Sequence, residues 1–125
     1  MAVQLNHTII QAKNAKASAL FLTELLGLPP AIPFGPFMVV STANQVSLDF
    51  RTTSKEIQPR HFAFQVSEEE FDLIFDRIKK KALIFWADPG RKKLNQISHN
   101  DGGRGCYFLD PDGHFLEILT QPYSV

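Results

Sequence analysis

Cysteine, tryptophan and methionine are scarce in this chain of 125 residues, which holds one, one and two of them, and no charge of either sign prevails. A single cysteine cannot form an internal disulfide, and Cys106, set within an apolar segment, reads as a small buried hydrophobe. Thirteen basic and 13 acidic residues cancel. That balance removes the cationic surface that a nucleic acid or an anionic membrane requires of its partner. No apolar run approaches the ~18 residues of a membrane span, and the opening MAVQLNHTII has no charged segment followed by an apolar one. A soluble, cytoplasmic protein is expected, one domain over residues 1–125 with an ordinary 44% hydrophobic share.

What is present is organised around GCYFLDPDGHFLEILTQPY, residues 105–123. Apolar residues run to Leu109, Asp110-Pro111-Asp112-Gly113 reverses the chain, and apolar residues resume at Phe115. This is a β-hairpin. Glu117 lies in the middle of its returning strand, where a carboxylate is costly to bury without a partner. It therefore faces water at an edge or holds a partner such as a metal ion.

The chain in order reads as a strand, a helix and further strands, and then begins again. Residues 3–10 form a strand with His7 at its middle. Asn14 caps a helix over 15–26, which Gly27 and Pro29-Pro30 end. Strands at 37–42 and 46–51 flank a turn at Asn44-Gln45, and 52–58 is a polar linker. The second half opens with a strand at 60–66 carrying His61. A helix over 68–81 follows, with Ser67 and Glu70 as a capping box and Phe71, Ile74, Phe75 and Ile78 on one face. A strand at 82–86, a long polar loop at 88–104 and the hairpin complete it. His7 and His61 are 54 positions apart, as are Gln11 and Gln65, and Phe21 and Phe75. In the hairpins the offset is 68, which aligns Leu48-Asp49-Phe50 with Leu116-Glu117-Ile118. Matching order at such a period means two copies of one βαβββ unit, residues 1–52 and 59–125.

Side chains alternate along a strand, so His61 shares a face with Ala63 and Gln65, opposite Phe62, Phe64 and Val66. Glu117 shares its face with Phe115 and Leu119, and Asp49 with Ser47 and Arg51. If the sheets of the two copies face each other, His7, Asp49, His61 and Glu117 converge in a half-apolar cleft. Two imidazoles and one or two carboxylates suit a divalent ion. Three such ligands match non-haem iron, and four suit zinc, nickel, cobalt or manganese with waters. In the long loop, His99 and Arg104 flank Asp101-Gly102-Gly103, which reads as a solvated segment or as a lid supplying substrate contacts. His114 reads as turn-exposed, and Lys79–Lys81 and Arg91-Lys92-Lys93 as solvated charges. Tyr123 caps a cavity or anchors the terminus. Phe34, Phe37, Trp86 and Phe115 suggest an aromatic pocket.

The segments LNHTIIQ, FLTELLGL, RHFAFQV and YFLDPDGHFLEILTQPY resemble, in order, the vicinal oxygen chelate superfamily of glyoxalases, bleomycin-resistance proteins, fosfomycin-resistance enzymes and extradiol dioxygenases. The resemblance covers nearly the whole chain. It implies an α+β fold, two βαβββ modules forming a cupped mixed β-sheet with helices outside, and a homodimer. It also implies a divalent metal (Zn, Ni, Mn or Fe(II)) on His7, His61 and Glu117, with Asp49 at the position of a further glyoxalase I carboxylate. Glyoxalase I usually has glutamate there, and Asp49 is shorter by one methylene; the paired arginines expected for gripping glutathione are not seen either. The implied activity is a metal-dependent lyase or isomerase acting on a small oxygenated molecule bound through two oxygens, with Glu117 moving a proton. An Fe(II) extradiol-type dioxygenase and a non-catalytic small-molecule-binding protein are the alternatives. His99, Arg104, Phe115 and Tyr123 are the candidate substrate contacts.

Overall fold

In a computed structural model, which describes residues 2–124, the chain divides into two compact units that part between Gln58 and Pro59. In the first, β1 (His7–Ala12) leads into α1 (Ala15–Leu26), and β2 (Ile32–Phe34), β3 (Phe37–Ser41) and β4 (Ser47–Thr52) follow. The sheet order is β1-β4-β3-β2, with β1 parallel to β4 and the other pairs antiparallel. The second unit repeats the order: β5 (His61–Gln65), α2 (Glu68–Lys80), β6 (Phe85–Trp86), β7 (Gly105–Leu109) and β8 (Phe115–Leu119) form a sheet ordered β5-β8-β7-β6. The fold is α+β, two βαβββ modules, each a mixed four-stranded sheet with one helix. No helix among the described residues is long and apolar enough to cross a membrane.

Both helices carry the ends their sequences specify. The Asn14 side-chain oxygen accepts the Ala17 N–H, and Gly27 closes α1 at φ 70°, where a side chain would be strained. The Ser67 hydroxyl accepts from the Glu70 amide while the Glu70 carboxylate accepts from the Ser67 amide. Phe71, Ile74 and Ile78 of α2 are buried. Each such burial contributes about 1.5–3 kcal/mol. Phe75 meets Phe85 edge-on at 5.0 Å, which ties α2 to β6.

Boundaries differ from the sequence reading where pairing decides them. β1 runs from His7 rather than Val3 because its partner β4 begins at Ser47, and Val3 and Leu5 are exposed. β2 contains Pro33 and escapes a propensity reading; it is the edge strand, where a missing N–H is tolerated. β6 is only two residues long because Lys81, Ala82 and Leu83 end α2. The Leu83 amide reaches back to the Ile78 carbonyl at 3.1 Å, with Ala82 at φ 55°. His114 is not turn-exposed but 1% accessible: its Nδ1 accepts the Arg60 amide at 3.0 Å and its ring meets Phe62 edge-on. The turn before it is held by Asp110, whose Oδ1 accepts the amides of Asp112 and His114.

Candidate functional site

In the hairpin register Tyr107 lies directly opposite Glu117, while β5 places His61 beside Phe115. Tyr107, Phe115, Glu117 and His61 thus occupy one face of the second unit's sheet. The opposite face carries Cys106, Phe108, Leu116 and Ile118, all buried. Burial pushes the Cys106 thiol up to about 12, so it is an inert core group.

Glu117 is 2% exposed yet not isolated. The Tyr123 hydroxyl donates to its Oε2, and the Tyr107 hydroxyl stands 2.7 Å from that of Tyr123. Because Tyr123 donates to the carboxylate, Tyr107 donates to Tyr123. Burial raises both phenols above their ordinary value, reinforced at Tyr123 by its bond to Glu117, so both keep their protons at neutral pH.

His61 Nδ1 lies 2.8 Å from the Phe115 carbonyl oxygen, which can only accept, so Nδ1 carries a proton. Its Nε2 faces Glu117 Oε1 at 3.2 Å. In a neutral ring these are two lone pairs, and a proton or a metal cation between them relieves their repulsion. Such a backbone-anchored imidazole is the usual form of a metal-binding histidine. The donor set therefore fits a divalent ion held by Nε2 and Oε1. His61, Tyr107 and Phe115 pack ring against ring, with centroids 5.3–6.1 Å apart, which fixes the imidazole.

These groups line a cavity of about 490 Å³ formed by His61, Tyr107, Phe115, Glu117 and Tyr123 together with Pro89 and Asn100. Trp86 tilts against Phe115, centroids 6.2 Å apart. Of the candidate substrate contacts, Phe115 and Tyr123 line the cavity. His99 is exposed, and it is the neighbouring Asn100 that reaches the cavity wall. Arg104 is engaged elsewhere: its guanidinium bonds Glu68 and Asp72 at 2.8 Å each and covers the Phe71 ring at 4.4 Å. It clamps α2. Tyr107, which the sequence reading did not single out, was accessible from the hairpin alone, since the register puts it across from Glu117.

In the first unit, His7 is exposed on β1, with Nδ1 2.8 Å from Asn6 Oδ1, so it too presents Nε2. Asp49 is half-buried on β4 and accepts from the Ser47 hydroxyl at 3.0 Å. Phe34 is exposed on the edge strand. Among the described residues, no three His, Cys, Asp or Glu side chains gather into a metal-binding group; the pair brought together is His61 and Glu117.

The family model described as the glyoxalase/bleomycin resistance protein/dioxygenase superfamily matches residues 4–118. The structure titled Oxidase ChaP-H1 is 56% identical, covering 99% of this chain and 100% of that one, with TM-score 0.97. Oxidase ChaP-H2 is 54% identical over 99% and 98%, also with TM-score 0.97. The Glutathione transferase FosA of Serratia marcescens is 29% identical, covering 94% of this chain and 81% of its own.

Proposed function

The chain belongs to the glyoxalase/bleomycin resistance protein/dioxygenase superfamily, and we propose that within it the protein is a metal-dependent oxidase of a small oxygenated aromatic molecule. The observation that carries this reading is the His61 Nε2–Glu117 Oε1 pair, 3.2 Å apart in an aromatic-lined cavity. His61 and Glu117 would supply two ligands; the family pattern has a further first-strand histidine, for which His7 is this chain's candidate, its Nε2 free of the Asn6 contact. Asp49 is a further candidate, held by Ser47. A bound Fe(II) or Mn(II) would stabilise a substrate oxyanion as a Lewis acid and connect it to dioxygen as oxidant.

The protein's own groups supply the rest. Phe115 and Tyr107, stacked on each other with their planes 13° apart, give the cavity an aromatic lining suited to an aromatic ring. The Tyr123 hydroxyl, backed by Tyr107, holds a proton at Glu117 Oε2 and exchanges it with an oxygen entering over that carboxylate. The lyase or isomerase chemistry expected first uses the same pair. Similarity to an oxidase over essentially the full chain favours oxidation instead. The working form is a cytoplasmic homodimer. The exposed apolar residues Ile9, Ile32 and Phe34 support a contact between copies.

Oxygen uptake by Fe(II)-loaded protein across a panel of catechols tests the reading. Uptake that disappears in His61→Ala is expected. No uptake across the panel, or uptake untouched by that substitution, would overturn it.

A further inference from the structure

We propose that Arg91 is an anion-recognition point at the rim of this cavity. The substrate would then be an aromatic compound carrying a carboxylate, or an equally acidic oxygen, one ring away from the oxygens that meet Glu117. This rests on the reading of the cavity above and narrows its substrate class.

Arg91 reads in the sequence as one of three solvated cations, but it is stacked. Its guanidinium carbon is 4.5 Å from the centroid of the Phe115 ring and 5.4 Å from that of Trp86. Phe115 lines the cavity, and so does Pro89, two residues before Arg91. A guanidinium laid over a ring keeps its N–H edge available, in the fork geometry that matches a carboxylate. None of the ion pairs among the described residues involves Arg91.

The loop holds this position by design of its hydrogen bonds. Arg91 adopts φ 58°, in the left-handed region that a side chain disfavours. The Arg91 amide donates to the Asp88 carbonyl at 3.2 Å, and the Ala87 amide to the Lys93 carbonyl at 3.0 Å. The Asp88 carboxylate accepts the amides of Lys92 and Lys93, at 3.0 and 2.8 Å. The Asp88 carboxylate is thereby held on the loop's backbone, where it offsets one of the three cations Arg91, Lys92 and Lys93 and leaves residues 88–93 net positive.

The spacing selects the ligand. Phe115 and Glu117 are two residues apart on one face of β8, about 6.6 Å along the strand. An aromatic ring with an acidic group at one end and hydroxyls at the other spans that interval.

The test compares protocatechuate with its methyl ester by titration calorimetry. Quenching of Trp86, the chain's single tryptophan, is a second readout. Both chelator-treated and Zn(II)-loaded protein are used, since zinc permits binding without turnover. The acid is expected to bind about tenfold tighter than the ester, the size of one charge-assisted hydrogen bond. Arg91→Gln should bring the two within about twofold, the effect of that one bond being gone, with the ester unchanged. Arg91→Gly removes the charge while suiting the φ of this position, and should do the same with the loop intact. Equal affinities in the wild type, no binding of either probe, or a preference that survives both substitutions would overturn the proposal. Equal affinities in wild-type protein that still binds zinc would fail this inference alone, and a preference for the acid in wild-type protein that binds no zinc would fail the metal reading alone.

Discussion

The Nδ1 proton of His61 goes to the carbonyl oxygen of Phe115, 2.8 Å away, and that bond decides what the other side of the ring offers. Nε2 is left facing Glu117 Oε1 at 3.2 Å, placed to share a proton or a metal cation with it. The adjacent strand thus fixes the imidazole's tautomer and its direction together, before any ligand arrives.

Tyr123→Phe removes the donor to Glu117 Oε2 and leaves the ring in place. Turnover should fall about tenfold or more, the range of one lost proton donor. The melting temperature should change little, because Tyr123 is 46% exposed. Steady-state kinetics beside thermal melts check both halves of this expectation.

Arg104→Ala should lower the melting temperature by roughly 4 °C while sparing metal affinity. The side chain clamps Glu68 and Asp72 on α2 rather than facing the cavity. Because Glu68 and Asp72 are exposed, the gap between variant and wild type should narrow at high salt. A variant with unchanged stability and weakened substrate binding would return Arg104 to the substrate.

His114→Ala strips the Arg60 amide of its acceptor and leaves a void in the core. A loss of about 2–4 kcal/mol is expected. Chemical denaturation measures it directly.

Glu70 carries a pH signature. Its bonds to Ser67, the backbone amide foremost, hold its carboxyl below the ordinary 4.5. The folded form then binds fewer protons than the unfolded one. The stabilisation is full above about pH 5 and fades as pH falls through the folded value. Glu70→Gln should flatten this part of the acid limb in melts recorded between about pH 3 and 6.

Much of this is legible in the sequence, for identifiable reasons. Glu117 announces itself because a carboxylate amid apolar strand residues needs a partner, and His61 because its strand alternates aromatic and polar side chains. Asn14, Gly27, Ser67 and Glu70 mark helix ends through local bonds, which sequence encodes well. What the sequence does not display involves partners distant along the chain. Arg104 finds carboxylates 32 and 36 residues away, and His114 finds an amide 54 residues away, pairings that no local pattern displays. Arg91 stacks through a left-handed loop conformation that its position in a basic triplet conceals. Pro33 hides β2 because an edge position, unlike a propensity, is a property of the whole sheet.

Metal binding by the purified protein is the most direct measurement. Calorimetric titration of chelator-treated wild type with Zn(II), Mn(II) and anaerobic Fe(II) should show about one ion per chain for at least one of them. His61→Ala and Glu117→Gln should each weaken it by more than about tenfold, and His7→Ala should follow if it supplies the third ligand. Wild-type protein that takes up none of these ions, or a His61→Ala variant that binds as tightly as wild type, would contradict a metal centre built on His61 and Glu117.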